Sequence, residues 1–131
     1  MVIEVLKRRN ISYVVAPYEA DAQLVYLEMN GYIQAIISED SDLLVFGAQC
    51  MLTKMDNVGK CIEVRRDKFH TCQDLNLADF NDENLRVMAI LSGCDYSPGI
   101  SGIGPVKAYN LIRKYREFHR VSLRVTDIML F

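Results

Sequence analysis

Apolar and polar positions alternate with changing spacing along the 131 residues, and each change of spacing predicts an element. Val2, Val5 and Leu6, with Arg9, predict a short amphipathic helix already under way at the first residues. Residues 13–16 form an apolar, largely β-branched run closed by Pro17, which predicts a strand. Ala20, Leu24 and Leu27 then recur at i, i+4 and i+7 until Gly31, which predicts a helix with a glycine stop. Residues 33–38 repeat the apolar strand pattern. A helix of about a dozen residues between two buried strands predicts a right-handed βαβ crossover in a parallel sheet.

Further along, residues 41–46 suit one or two helical turns. Alternation over 51–55 and 61–65, with Asp56, Asn57 and Gly59 between, predicts a β-hairpin. Asn81, Asp82 and Glu83 open a helix whose stretch 87–91 is apolar nearly all round, which predicts burial, and it stops near Gly93. A Ser-, Pro- and Gly-rich loop over 97–104 precedes a last helix with Ala108, Leu111, Ile112 and Tyr115 on one face. The fold class expected is therefore α/β, with no internal repeat or low-complexity tract.

Composition narrows this picture. Half of the residues are apolar and 24% are charged, which is globular and excludes disorder for most of the chain. The length suits one domain with one core. No apolar stretch approaches the roughly 20 residues of a membrane helix, and Glu4, Lys7, Arg8 and Arg9 interrupt the start, so no membrane span or secretory leader is expected. Cys50, Cys61, Cys72 and Cys94 are spread without a C-x-x-C pair, and His70 and His119 stand alone. Free thiols are expected, and soft-metal chemistry has little support.

The net charge of −2 hides an asymmetry. Residues 1–101 carry nine Lys and Arg against fifteen Asp and Glu, a balance of −6, while 102–131 carry six against two, a balance of +4. A polyanion is therefore expected to dock at the C-terminal end alone, although a solvated basic helix also explains the excess.

In open parallel sheets ligands bind outside the carboxyl ends of the strands. Here both predicted strand ends are acidic: Glu19 and Asp21 follow the first, and Asp40 and Asp42 the second. Carboxylates gathered within about 4 Å repel by roughly 1 kcal/mol per pair in water and about 4 kcal/mol at an effective dielectric of 20, so such a cluster needs cations. All-oxygen donors suit Mg²⁺ or Mn²⁺, and two such ions promote phosphodiester hydrolysis. Acidic residues are also favoured in first helical turns by about 0.3 to 1 kcal/mol, which explains any one of them alone. Asp95 follows a helix C-terminus, where the dipole disfavours negative charge, and is a fifth candidate ligand.

The run Gly102-Ile103-Gly104-Pro105-Val106-Lys107-Ala108 places two glycines before a proline at the first helical position. Backbone N–H groups there, with the helix dipole and with Lys107, Arg113, Lys114 and Arg116 nearby, predict an anion site suited to a phosphate backbone. A tight interhelical turn with a solvated basic helix is the alternative.

Ala16-Pro17-Tyr18-Glu19-Ala20-Asp21-Ala22-Gln23, Glu39-Asp40-Ser41-Asp42, Leu91-Ser92-Gly93-Cys94-Asp95-Tyr96 and Gly102-Ile103-Gly104 together resemble, in order and spacing, the internal region of the flap-endonuclease and XPG family of structure-specific 5′ nucleases. Tyr18, and Asp21 where flap endonucleases tend to carry Glu, make the chain most similar to the exonuclease-1 branch. The resemblance implies a PIN-like 5′-nuclease fold followed by a helix-two-turn-helix element that grips duplex DNA. It implies that Glu19, Asp21, Asp40, Asp42 and Asp95 are catalytic metal-site carboxylates for two Mg²⁺ ions, and that the backbone carbonyls of Ser92, Gly99 and Ile103 hold a K⁺ ion. Pro98 and Gly99 depart there from a more usual Ser-containing loop. DNA contacts fall to Gly102, Gly104, Lys107, Arg113 and Lys114.

On this resemblance the chain divides into an α/β nuclease region, 1–91, a helix-two-turn-helix element, 92–120, and a divergent tail, 121–131. The implied activity is 5′-to-3′ exonuclease and 5′ flap endonuclease action on duplex DNA with 5′ ends, gaps or flaps, in nuclear repair, with mismatch-repair factors or a sliding clamp as partners of the intact protein. A non-catalytic DNA-binding module is the alternative from another class, and a small-substrate phosphatase a third that the basic C-terminal part disfavours. Family members carry a further N-terminal region with two more metal-binding Asp residues and a basic helical arch, so the chain is expected to be a fragment, weak or inactive alone.

Overall fold

The computed structural model describes residues 2–115. In order they form α1 (Val2–Arg8), α2 (Ala20–Met29), β1 (Ile36–Ile37), α3 (Asp42–Phe46), β2 (Cys50–Thr53), β3 (Ile62–Arg65), a 3₁₀ turn (Arg66–Thr71), α4 (Asp82–Ser92) and α5 (Pro105–Tyr115). The tail expected to diverge, 121–131, and the basic residues from Arg116 onward lie outside the described residues.

The three strands pair in the order β1-β2-β3. β1 runs parallel to β2, with Ile36 opposite Met51 and Ile37 opposite Leu52. β2 and β3 form the expected hairpin, antiparallel from Cys50 opposite Arg65 to Thr53 opposite Ile62. The sheet is thus mixed, and its parallel crossover passes through α3, not α2. The strand predicted over 13–16 does not form, because no neighbour supplies a ladder: Val14 and Val15 are 61% and 67% exposed. A β-branched run is a strand only when another strand satisfies its backbone.

Two apolar clusters replace the single expected core. Val25, Ile36, Leu43, Ala48 and Met51 form one between α2, α3 and the sheet. Val87, Leu91, Ile103, Ala108 and Ile112 form the other between α4 and α5. The strands hold only two to four residues each, so α2 and α3 cover their apolar face and the C-terminal helices close on each other. Leu43 is fully buried and contributes about 2 to 3 kcal/mol by area alone. Contrary to burial all round α4, Ile90 is half exposed. α2 also departs from its predicted Ala20, Leu24 and Leu27 stripe, since its buried residues are Val25 and Glu28.

Local signals account for the helix boundaries. Asn84 N–H donates to Asn81 Oδ1 (2.8 Å) and caps α4. Gly31 N–H and Tyr32 N–H donate to the carbonyls of Glu28 and Leu27 (both 2.9 Å) and close α2. Pro105 opens α5, as its missing N–H allows. All four cysteines are free thiols. Among the described residues no helix is long and apolar enough to cross a membrane.

Candidate active site

The carboxyl end of β1 turns sharply into α3 and sets both of its acids. Ser38 N–H donates to Leu52 O (3.1 Å), extending the ladder by one residue. Asp40 N–H then donates to Ser38 Oγ (3.0 Å), and Asp42 N–H donates to Asp40 Oδ1 (2.9 Å). Asp40 is held in an Asx turn with Oδ2 left over, and Asp42 starts α3. Glu39 points elsewhere: Thr53 Oγ1 donates to its Oε2 (2.9 Å) and Lys54 N–H to its Oε1 (2.6 Å), bracing the ends of β1 and β2 together.

Glu19 is the N-cap of α2 in extended conformation, but its side chain makes no cap bond, and Asp21 follows in the first turn. The carboxylate of Glu19 is therefore not consumed in starting its own helix. Asp95 sits past the end of α4, in a tight turn where Cys94 N–H donates to Ser97 O (2.9 Å) and Ser97 N–H to Cys94 O (3.1 Å). That position takes it out of the helix and into contact with Asp42, whose Oδ2 accepts the Asp95 N–H at 3.4 Å across 53 positions of chain.

Tyr96 packs edge-on against Phe46, with ring centroids 5.6 Å apart at 87°. Desolvation against the protein pushes its phenol above the usual range, and the charges of Glu19, Asp21, Asp42 and Asp95 push it further. One ring therefore feels carboxylates from three separate chain segments. Tyr96 carried no assigned role in the sequence, although it directly follows Asp95. Beside it an apolar groove of about 720 Å³ runs between α2, α3 and α4, lined by Tyr18, Tyr26, Phe46, Ile90 and Tyr96, with Glu19 and Asp42 on its wall.

The donors are uniformly hard oxygens, which suits Mg²⁺ or Mn²⁺ and no softer ion. Among the described residues, however, no group of three or more His, Cys, Asp and Glu side chains is arranged to hold a metal ion as it stands. Mg²⁺ is commonly held by one or two carboxylates with waters and substrate phosphate completing its shell, and the rim is compatible with that mode.

At the C-terminal side the loop after α4 folds back on the helix end. Ile100 N–H donates to Leu91 O (3.0 Å) and Ile103 N–H to Ile100 O (2.9 Å). The backbone of Gly99 lies directly on Ser92 and Gly93, which brings two of the three carbonyl-bearing candidates together. Lys107 Nζ donates to Gly102 O (2.8 Å). Gly102, Ile103, Lys107 and Lys114 line a cavity of about 500 Å³. Arg113 is not part of this group. Its guanidinium donates to Tyr109 Oη (3.3 Å), and Tyr109 Oη in turn donates to Asn76 O (3.0 Å), on another side of α5.

The XPG I-region family model matches residues 10–95. Exodeoxyribonuclease 1 of Schizosaccharomyces pombe is 54% identical over 112 residues, which are 86% of this chain and 19% of that protein. The DNA damage-inducible protein DIN7 of Saccharomyces cerevisiae is 41% identical over 125 residues, 95% of this chain and 29% of that one. The chain thus spans less than a third of the length of these curated relatives. Among solved structures, the catalytic core of Rad2 in complex with DNA substrate superposes with a TM-score of 0.78 at 29% identity, over 91% of this chain and 36% of that one. Flap endonuclease-1 from Methanococcus jannaschii gives 0.73 at 31%, over 86% and 35%. Family model, relatives and fold agree: the chain belongs to the XPG I-region family of nucleases, in the branch of the exonuclease 1 proteins.

Proposed function

We propose that this chain is the internal catalytic segment of a Mg²⁺-dependent 5′-to-3′ DNA exonuclease and 5′ flap endonuclease of nuclear DNA repair, in which Glu19, Asp21, Asp40, Asp42 and Asp95 hold two divalent ions. The observation that carries the reading is the Asp95 N–H on Asp42 Oδ2, with the neighbouring Tyr96 in the field of four carboxylates. The bond links the turn into α3 with the loop after α4, and the charges of Glu19 and Asp21 acting on Tyr96 support adding the start of α2. The names of the relatives, exodeoxyribonuclease and flap endonuclease, support the same chemistry.

Bound divalent ions supply a hydroxide nucleophile at neutral pH and stabilise the leaving oxygen of the phosphodiester. The chain's own residues do the positioning. The Asx turn orients Asp40, the Asp95 amide orients Asp42, and Glu19 and Asp21 stand at the start of α2, with no cap bond taking up the Glu19 side chain. Gly102, Gly104, Lys107 and Lys114 are proposed to hold the duplex backbone, the role expected from the amides and dipole at the start of α5, while Arg113, turned to Tyr109, is left out of that group. Ser92, Gly99 and Ile103 are proposed to offer carbonyls to K⁺. Mismatch-repair factors or a sliding clamp would dock on other parts of the intact protein.

The test is turnover of a 5′-recessed duplex with Mg²⁺, by the chain alone and by the chain joined to the N-terminal region of its relatives. We expect little activity from the first and Mg²⁺-dependent 5′ degradation from the second, abolished by EDTA. Absence of 5′ degradation by the joined protein at any divalent concentration would overturn the reading. The competing reading, a DNA-binding module without catalysis, predicts DNA binding without turnover.

DNA binding has its own signature. Lys107→Ala should flatten the slope of log affinity against log salt by about one unit and weaken binding evenly across sequences. A fluorescence-anisotropy series at several salt concentrations measures it. An unchanged slope places the phosphate contacts elsewhere.

A further inference from the structure

Glu28 is the buried charged residue among the described residues, 9% exposed, and no part of the nuclease reading uses it. Its Oε2 accepts the Gln49 N–H at 2.8 Å and its Oε1 accepts the Cys50 N–H at 2.7 Å. A buried carboxylate is costly unless charge-assisted hydrogen bonds compensate it, and two consecutive backbone amides do so here.

The two amides stand at the start of β2. β1 and β2 are parallel, so that end of the sheet lies opposite the rim that carries Asp40. α2 spans the distance between the two ends. Asp21 and Glu28 are seven residues apart, which places them on one face of α2 about 10 Å from each other. Val25, 4% exposed, occupies the same stripe between them. The sheet-facing side of α2 therefore has an apolar middle, an anchored carboxylate at one end and a site carboxylate at the other.

A two-point contact resists both sliding and rolling of a helix, whereas apolar packing alone tolerates either. We infer that Glu28 is a positioning residue: its fork on Gln49 and Cys50 sets the rotation and axial register of α2, and with them the places of Glu19 and Asp21 opposite Asp40 and Asp42. The anchoring rests on geometry alone, while its consequence for metal holding rests on the nuclease reading.

The experiment uses the 131-residue chain, with Glu28→Gln, which loses one acceptor, and Glu28→Leu, which loses both and keeps apolar volume. Backbone NMR should show displaced amide signals at 19–22 as well as at 49 and 50. Mn²⁺ affinity followed by electron paramagnetic resonance should fall about tenfold in Glu28→Leu, the scale seen when a residue supporting a metal ligand is lost, and less in Glu28→Gln. Should Glu28→Leu fail to fold, Glu28→Gln carries both readouts. Amide changes confined to the turn around residue 28 and to 49–50 would reduce Glu28 to a packing role. So would displaced signals with unchanged Mn²⁺ affinity, in a chain whose Asp42→Asn variant has lost that affinity. If wild type and Asp42→Asn bind Mn²⁺ alike, the metal-site reading fails, and the signals at 19–22 still decide the anchoring.

Discussion

Asp40→Ala in the joined protein should lower turnover of a 5′-recessed duplex by more than about a hundredfold, since even residues that merely support a metal ligand cost up to that when removed. Two losses coincide at this position. The carboxylate charge disappears, and the Asp42 N–H loses the Oδ1 acceptor that shapes the turn into α3. Asp40→Asn separates them, because the amide oxygen still accepts the Asp42 N–H while the charge is gone. If charge is what matters, Asn is as inactive as Ala with an unchanged melting temperature; if the turn is what matters, Asn recovers most of the rate. Glu39→Gln is the neighbouring control, because both Glu39 carboxylate oxygens are already engaged, by Thr53 Oγ1–H and the Lys54 N–H. An Asp40→Ala protein that degrades duplex at the wild-type rate removes Asp40 from the catalytic set.

The largest effect on stability should come from one methyl group. A Cβ on Gly99 would stand 2.5 Å from Gly93 N, 2.7 Å from Gly93 Cα and 2.7 Å from Ser92 C, all backbone atoms that have no rotamer to yield. Gly99 also has φ +69°, a left-handed conformation that costs an L-residue about 1 to 2 kcal/mol. Adding about 1 to 3 kcal/mol for forced backbone displacement, Gly99→Ala should lose roughly 2 to 5 kcal/mol in urea unfolding. Gly104→Ala is the contrast: its Cβ would meet nothing within 4 Å and its φ is not positive, so a change within about 0.5 kcal/mol is expected. Equal midpoints for the two variants would show that the loop after α4 relaxes around the added methyl.

The turn from β1 into α3 was legible because it depends on order along the chain. Asp40 and Asp42 follow a strand that forms, whereas the strand predicted before Glu19 and Asp21 does not, so only the first pair stands at a strand end. Asp40 and Asp42 therefore kept their predicted setting, even though β1 shrank to Ile36–Ile37. Asn81 and Pro105 marked helix starts for the same reason, since caps act within one turn. What depends on distant partners was not legible. The run 13–16 has strand composition but no ladder beside it. The α2 stripe was misread because apolar spacing cannot reveal that a glutamate would be buried on backbone amides 21 and 22 positions away. Arg113 has the charge of a phosphate contact, yet Tyr109 draws its guanidinium to another side of α5. Tyr96 acquires its setting only when Phe46 and the acids of distant segments meet around it.

The split of the interior has a further consequence for how this molecule melts. Two small clusters make two cooperative units, connected where Arg66 donates to Leu44 O and pairs with Asp82, where Asp95 N–H meets Asp42 and where Tyr96 packs on Phe46. Amides of α4 and α5 should share one opening free energy in native-state hydrogen exchange and those of α2 and β2 another. Opening of the α4–α5 unit would then take Asp95 away from Asp42, while Asp40 and Asp42 keep the turn that starts α3.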